Sequence, residues 1–225
     1  VGDTTVYSDV GIIVLGKLVE SISKTPLNEF IQLEVFERLG MNTTFYNPPS
    51  EKFHRVVPTE IDPNGNLIRS YVHDENAYSL GGVAGHAGLF STAKDLGVFS
   101  QMMLNKGLYG WKRIFKPETV DLFTKRANIF EGSSRCLGWD SPSGKASGGV
   151  YLSDSSFGHT GFTGTSLWID PENAVIVILL TNAVHPNRRS KDPVYYNWRQ
   201  RIHSGVYESL GIVEKTPSLK WRKSW

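Results

Sequence analysis

The chain has 225 residues, which at about 150 residues per domain is one generous domain or two closely packed lobes. Folding a chain of this size removes roughly 70% of its unfolded surface from water, so no disulfide staple is needed, and the lone Cys136 excludes an internal one. Lys and Arg number 24 against 22 Asp and Glu, a net charge of +2, with 20% charged and 12% aromatic residues; that balance argues against a nucleic-acid partner, a membrane-surface partner and disorder.

The chain opens on Val1 rather than Met and reads as a piece of a longer protein, so the lack of a targeting segment carries no information. From Gly11 to Ser23, Ile12, Leu15, Leu18, Val19 and Ile22 recur at three- and four-residue spacing and mark one face of a predicted amphipathic helix. A second helix follows, with Thr25 as N-cap, Pro26 at its first position, Leu27, Phe30, Ile31 and Phe36 as its stripe and Gly40 closing it. Between Asn42 and Tyr78 turn signals dominate, an irregular stretch of the kind that lines sites.

Residues 81–88 hold four glycines and His86. Neither the dinucleotide spacing nor a Gly-Lys-Ser/Thr ending is present, which argues against a phosphate cradle. Ser91 reads as the N-cap of a helix carrying Leu96, Phe99, Met102 and Met103, and a shorter helix spans Pro117–Lys125.

Beyond Arg135 strands are predicted at 135–139, 149–152, 157–160, 165–170 and 174–181. The turn Asp170-Pro171-Glu172-Asn173 joins the last two as an antiparallel hairpin. The longest apolar run, 174–180, is far short of the roughly 20 residues of a membrane-spanning helix. A closing helix over Val194–Leu210 places Trp198, Ile202 and Val206 on one face, and Lys220–Trp225 reads as a solvated basic tail. The expected class is α+β: a mostly helical subdomain over 1–134, then antiparallel strands and a terminal helix over 135–225.

Three segments stand out as places for chemistry: Tyr7-Ser8-Asp9 just before a helix, the glycine-rich loop with His86, and His159-Thr160-Gly161 at the end of a predicted strand. Tyr7 stands just before a helix, where the positive dipole end favours an ionised phenol and suits a general base; the other reading is a half-buried Tyr with Ser8 or Asp9 capping the helix. His159, in Gly-His-Thr-Gly-Phe-Thr-Gly, sits where small residues let a ligand pair with a strand edge, or where the chain merely bends. The histidines show no metal spacing, so no metal is expected, and no Gly-x-Ser-x-Gly elbow is present.

Taken together, Tyr7-Ser8-Asp9-Val-Gly-Ile-Ile-Val-Leu-Gly, Phe36-x-x-Leu39-Gly40-Met41-x-x-Thr44, Ala87-Gly-Leu-Phe-Ser-Thr-Ala-Lys-Asp95-Leu96 and Gly158-His-Thr-Gly-Phe-x-Gly164 resemble the serine β-lactamase and penicillin-binding-protein superfamily. Nearest in appearance are class C β-lactamase-like esterases, D-Ala-D-Ala carboxypeptidases and cell-wall amidases. The resemblance implies an antiparallel sheet flanked by helices, no cofactor, and acyl transfer by a Ser-x-x-Lys nucleophile and base. By the same resemblance Tyr7 is the proton shuttle and Asp9 stands at an Asn position. His159, Thr160 and Gly161 form the substrate strand, with the Phe162 N–H an oxyanion donor.

Two departures narrow the activity. Asp9, when ionised, accepts but cannot donate, so it pairs with a cation rather than gripping a carbonyl. His159 replaces the commoner Lys and holds an anionic carboxylate less firmly. Both favour an esterase, peptidase or amidase over a β-lactamase. Ser21-Ile-Ser-Lys24 and Ser91-Thr-Ala-Lys94 match the nucleophile pattern but fall at helix boundaries and are rejected. The nucleophile is therefore expected in an upstream segment of the same protein, which the resemblance allows to be a neighbour of a fused cell-wall glycosidase. A muropeptide amide, a D-alanyl peptide or a small ester is the implied substrate, and the implied compartment is periplasmic or secreted. A non-catalytic binding or structural module on the same fold is the alternative.

Overall fold

The computed structural model of the protein describes residues 6–129, 131–190 and 193–222. The described residues divide into two compact units, one of residues 6–99 with 184–190 and one of residues 100–129, 131–183 and 193–222. Helices and short antiparallel sheets make the architecture α+β.

In the first unit α1 spans Asp9–Ser23, α2 Leu27–Ile31 and α3 Glu37–Leu39, with a π turn, Gln32–Phe36, joining the last two. Pro26, not Thr25, is the N-cap of α2, and the Leu27 N–H is answered by the Glu20 carboxylate of α1 at 3.0 Å. Gly40 ends α3 in the left-handed region (φ 73°), as the sequence suggests. Nine residues after Leu27, Phe36 would stand roughly half a turn away from it on a plain α-helix. The wider π turn takes up that difference, and Leu27, Phe36 and Leu39 are all buried.

Strands β1 (Phe45–Tyr46) and β2 (Leu89–Phe90) pair antiparallel. Helix α4 (Glu75–Ser79) is capped by Asp74, whose carboxylate accepts the Ala77 N–H at 2.8 Å. Helix α5 (Ala93–Leu104) begins after Thr92, whose hydroxyl accepts the Asp95 N–H; Ser91 instead bonds the Thr44 hydroxyl. The buried Asp95 carboxylate accepts from Thr43 N–H and from both the Thr43 and Thr44 hydroxyls, tying the 43–44 turn to α5. The 184–190 segment is pinned here through Arg188, which bonds Glu60 and Glu75.

The α1 stripe is real in spacing and reversed in placement. Leu15 is 53% and Ile22 75% exposed, and Val10, Val14 and Leu18 are exposed with them. What packs is Gly16, the helix's buried residue. A Cβ on it would sit 3.1 Å from the Gly85 nitrogen, and one on Gly85 would sit 2.4 Å from the Ile12 carbonyl. The glycines of 81–88 thus allow backbone to meet backbone.

The second unit holds β3 (Leu108–Tyr109) and β4 (Lys112–Arg113), α6 (Pro117–Thr124) and the three-stranded sheet β5 (Phe157–Thr160), β6 (Ser166–Asp170) and β7 (Val175–Leu179), in the order β5-β6-β7, then α7 (Pro193–Ser209). The hairpin is as expected, with Asp170 opposite Val175 and Ser166 opposite Leu179. The strands expected at 135–139 and 149–152 are not regular. The first stretch contributes an isolated Arg135–Asp140 bridge and the second lies against the sheet without pairing. Val150, Tyr151 and Leu152 are nonetheless core, with Trp168, Val175, Val177, Tyr207 and Leu219.

Helix α7 also turns the unexpected face inward. Trp198 and Ile202 are exposed, while Arg199, Gln200, His203, Ser204 and Tyr207 are buried. Each has a partner: Gln200 donates to the Ala146 and Lys220 carbonyls, His203 Nε2 meets the Ser166 hydroxyl at 2.9 Å, and the Tyr207 hydroxyl donates to Asp170. The terminal segment is correspondingly packed, not solvated, up to residue 222: Leu219 is buried, Trp221 lies on the core, and Gln200 accepts the Arg222 N–H. Residues 223–225 lie outside the described residues.

Burial pushes the His203 imidazole down to about 4, with the nearby Arg199 charge adding to it. A neutral folded histidine that gains a proton on unfolding contributes stability fully above its unfolded value of about 6.5, and this is lost as pH falls through 4. Thermal or denaturant unfolding is expected to show a loss on the order of 3 kcal/mol between pH 6.5 and 4 that is missing from His203→Gln. A Cβ on Gly158 would lie 2.3 Å from the Leu167 carbonyl and 2.5 Å from the Trp168 ring, whereas one on Gly161 meets the Thr165 hydroxyl, which can turn away. Gly158→Ala should therefore cost about 3 kcal/mol and Gly161→Ala about 1 kcal/mol or less in the same assay. The exposed apolar rows on α1 and α7 predict self-association in sedimentation equilibrium; a monomer at all concentrations would refute it.

Candidate functional site

The residues singled out in the sequence fall into the two units, Tyr7 and Asp9 in the first and 159–162 in the second. In the first unit Ser8 is the N-cap of α1, its hydroxyl accepting the Gly11 N–H at 3.4 Å. Tyr7 precedes it, 65% exposed rather than half-buried. Asp9 opens the first turn and is half-buried.

The glycine loop brings a histidine to that turn. The Tyr46 hydroxyl donates to the Ala84 carbonyl and Asn47 to the Gly81 carbonyl, fixing the loop. The Gly16–Gly85 approach then lays it against α1. His86 Nε2 is 2.8 Å from Asp74 Oδ1, and one donor atom each from Asp9, Asp74 and His86 lies within 4.8 Å of the others. Burial works to raise the Asp74 carboxyl, but hydrogen bonds from the Ala77 N–H and His86 outweigh it and hold the group below the ordinary carboxylate range. Sequence spacing missed this cluster because its members come from a helix start, a helix cap and a loop. The one legible signal was a histidine inside a glycine run.

In the second unit His159 and Thr160 lie on β5 opposite Leu167 and Ser166 of β6. Gly158 exchanges both backbone bonds with Asp140 on the side away from β6, at 2.9 and 2.8 Å. By the alternation of a pleated strand, the Thr160 backbone faces that same outer side. Beyond it the chain turns: the Gly161 N–H donates to the Thr165 carbonyl and the Gly164 N–H to the Gly161 carbonyl. Phe162, at the tip, is 59% exposed. His159 Nδ1 is 2.9 Å from the Thr160 carbonyl, which can only accept, so Nδ1 carries a proton.

The two serine–lysine pairs that match the nucleophile pattern lie at helix boundaries. Lys24 lies beyond α1 in a left-handed conformation (φ 59°), and Ser91 precedes α5, its hydroxyl bonded to Thr44. No hydrogen bond joins either serine to its lysine among the described residues.

Known proteins place the chain. The Beta-lactamase family profile matches residues 1–200. A protein of Salmonella schwarzengrund, provisionally named a D-alanyl-D-alanine carboxypeptidase, is 39% identical over 203 residues, covering 82% of this chain and 46% of its own length. The chain thus spans about half the length of the curated relatives it matches. Among solved structures, simvastatin synthase from Aspergillus terreus superposes with a TM-score of 0.68 at 17% identity, over 92% of this chain and 56% of that one. A β-lactamase from Mycobacterium bovis does so with a TM-score of 0.64 at 20% identity, over 92% and 65%. At such identities these two share the fold, a β-lactamase/transpeptidase-like one. With its profile match over most of its length and its close sequence relatives, the chain belongs to the β-lactamase family.

Proposed function

We propose that this chain supplies the substrate strand and the proton-transfer tyrosine of a serine hydrolase that works through an acyl-enzyme. The observation that carries the reading is the outer edge of β5. Thr160 turns its backbone outward next to His159, at an exposed, glycine-flanked strand end. An extended acyl group added along that edge gains main-chain hydrogen bonds, and the Phe162 N–H serves the oxyanion.

In the reaction a serine Oγ attacks the acyl carbon and its proton passes to a base. The C–N or C–O bond then breaks as Tyr7 hands a proton to the leaving atom, and water reverses the sequence to free the acid. Tyr7 is suited to shuttling by its place at the positive end of α1 and by its exposure. The nucleophile and its lysine lie in an upstream segment, because neither Ser21 nor Ser91 is set against its lysine. The relatives' provisional name supports a D-alanyl peptide or related cell-wall amide as substrate, with a small ester next, and an extracytoplasmic location. Among the described residues no helix is long and apolar enough to cross a membrane.

Intact-mass spectrometry after exposure to a fluorophosphonate or a penicillin tests this on the chain alone and on a form extended at its N-terminus. Labelling of the extended form alone is expected. Labelling of neither would favour a non-catalytic binding module, and labelling of this chain at Ser21 or Ser91 would overturn the assignment of the nucleophile.

A further inference from the structure

The start of α1 holds more negative charge than its surroundings answer. Asp9 is half-buried, and among the described residues its carboxylate has no hydrogen bond or ion pair. Asp74, close by, has His86 as its ion-pair partner, and no Lys or Arg pairs with either acid. Two carboxylates within 4.8 Å of each other repel, and a half-buried charge left unpaired is costly.

His86 adds a second anomaly. Its side chain is 5% exposed, and Nδ1 is buried without a hydrogen-bond partner. A buried polar atom of that kind calls for an explanation. Nε2 donates to Asp74 at 2.8 Å, and a cation taking the place of that proton would leave the ring protonated at Nδ1 with its Nε2 lone pair toward the two acids. Three electron-pair donors then face one point, where a cation would offset the charge of the two acids.

We propose that Asp9, Asp74 and His86 form a binding site for a divalent first-row transition-metal ion. Nitrogen and oxygen donors about 2.0–2.2 Å from such an ion stand roughly 3–4 Å from one another, so the observed cluster needs little closing. One imidazole with two carboxylates suits Zn²⁺ or Mn²⁺ better than the all-oxygen shells of Ca²⁺ or Mg²⁺. The ion's two positive charges balance the two acids. The donors are also held in advance: Asp74 by capping α4, and Asp9 and His86 by the contact of Gly16 with Gly85. Three protein ligands leave a position for water or another small ligand. The inference stands apart from the acyl-transfer reading and is read out by binding alone.

Isothermal titration of ZnCl₂ into the metal-stripped chain is expected to show one saturable site. Asp9→Asn and His86→Gln should each weaken it by about 10-fold or more, while His54→Gln, remote from the cluster in sequence and bonding, leaves it unchanged. MgCl₂ should fail to compete. Circular dichroism checks that the variants fold, and if His86→Gln does not, Asp9→Asn decides alone. No saturable binding, or wild-type affinity in a folded Asp9→Asn or His86→Gln chain, would overturn the proposal.

Discussion

Asp170 is a carboxylate with no access to water, so every one of its lone pairs must be met by the protein. They are met by the Ser153 N–H and hydroxyl, by the Asn173 N–H and side-chain amide, and by the Tyr207 hydroxyl. Burial alone would raise its pKa; the bonds from Asn173 and Ser153 outweigh that and leave it lowered. The charge so fixed closes the β6–β7 turn, anchors the unpaired 150–153 stretch and draws α7 onto the sheet. Because β5 takes its register from β6, the position of His159 follows from the same anchor.

That arrangement explains why α7 buries a polar face. Its inner residues answer groups the sheet and the neighbouring loops cannot satisfy among themselves: the Ser166 hydroxyl, the Ala146 and Lys220 carbonyls and the Asp170 carboxylate. Such a network specifies one packing, since a shifted helix would leave several buried donors and acceptors without partners. Tight backbone contact does a similar job at α1, where glycine on both sides removes the room for sliding.

These are the places where the sequence could not be read through. Three- and four-residue spacing announced α1, four-residue spacing announced α7, and the proline-bearing turn announced the β6–β7 hairpin. The α+β class and the order of elements followed from those signals. Periodicity assigns the apolar row to the core by default, yet Gly16 and Gln200 are the buried positions. A glycine has no hydropathy to signal close approach, and a glutamine's worth depends on carbonyls from elsewhere in the chain. The stretch 149–152 was legible as buried and illegible as unpaired, because its backbone bonds go to α7 and the terminal segment, through Ser204 to Val150 and from Thr216 to Leu152. For the candidate site, His159 and Thr160 were singled out by their glycine neighbours, and Tyr7 by its place before a helix. Asp74 and the partners of His86 had no local signature.

The π turn between α2 and α3 bears on chain length as well as on packing. A helix that must keep Leu27 and Leu39 on one face has a fixed angular length, and the wide turn at Gln32–Phe36 shows that this stretch holds one residue more than a plain helix would use. Chain length can thus change at that turn without moving either end. The helix marks where an insertion or deletion between related sequences would be absorbed silently, upstream of the Thr43–Thr44 turn that Asp95 holds in place.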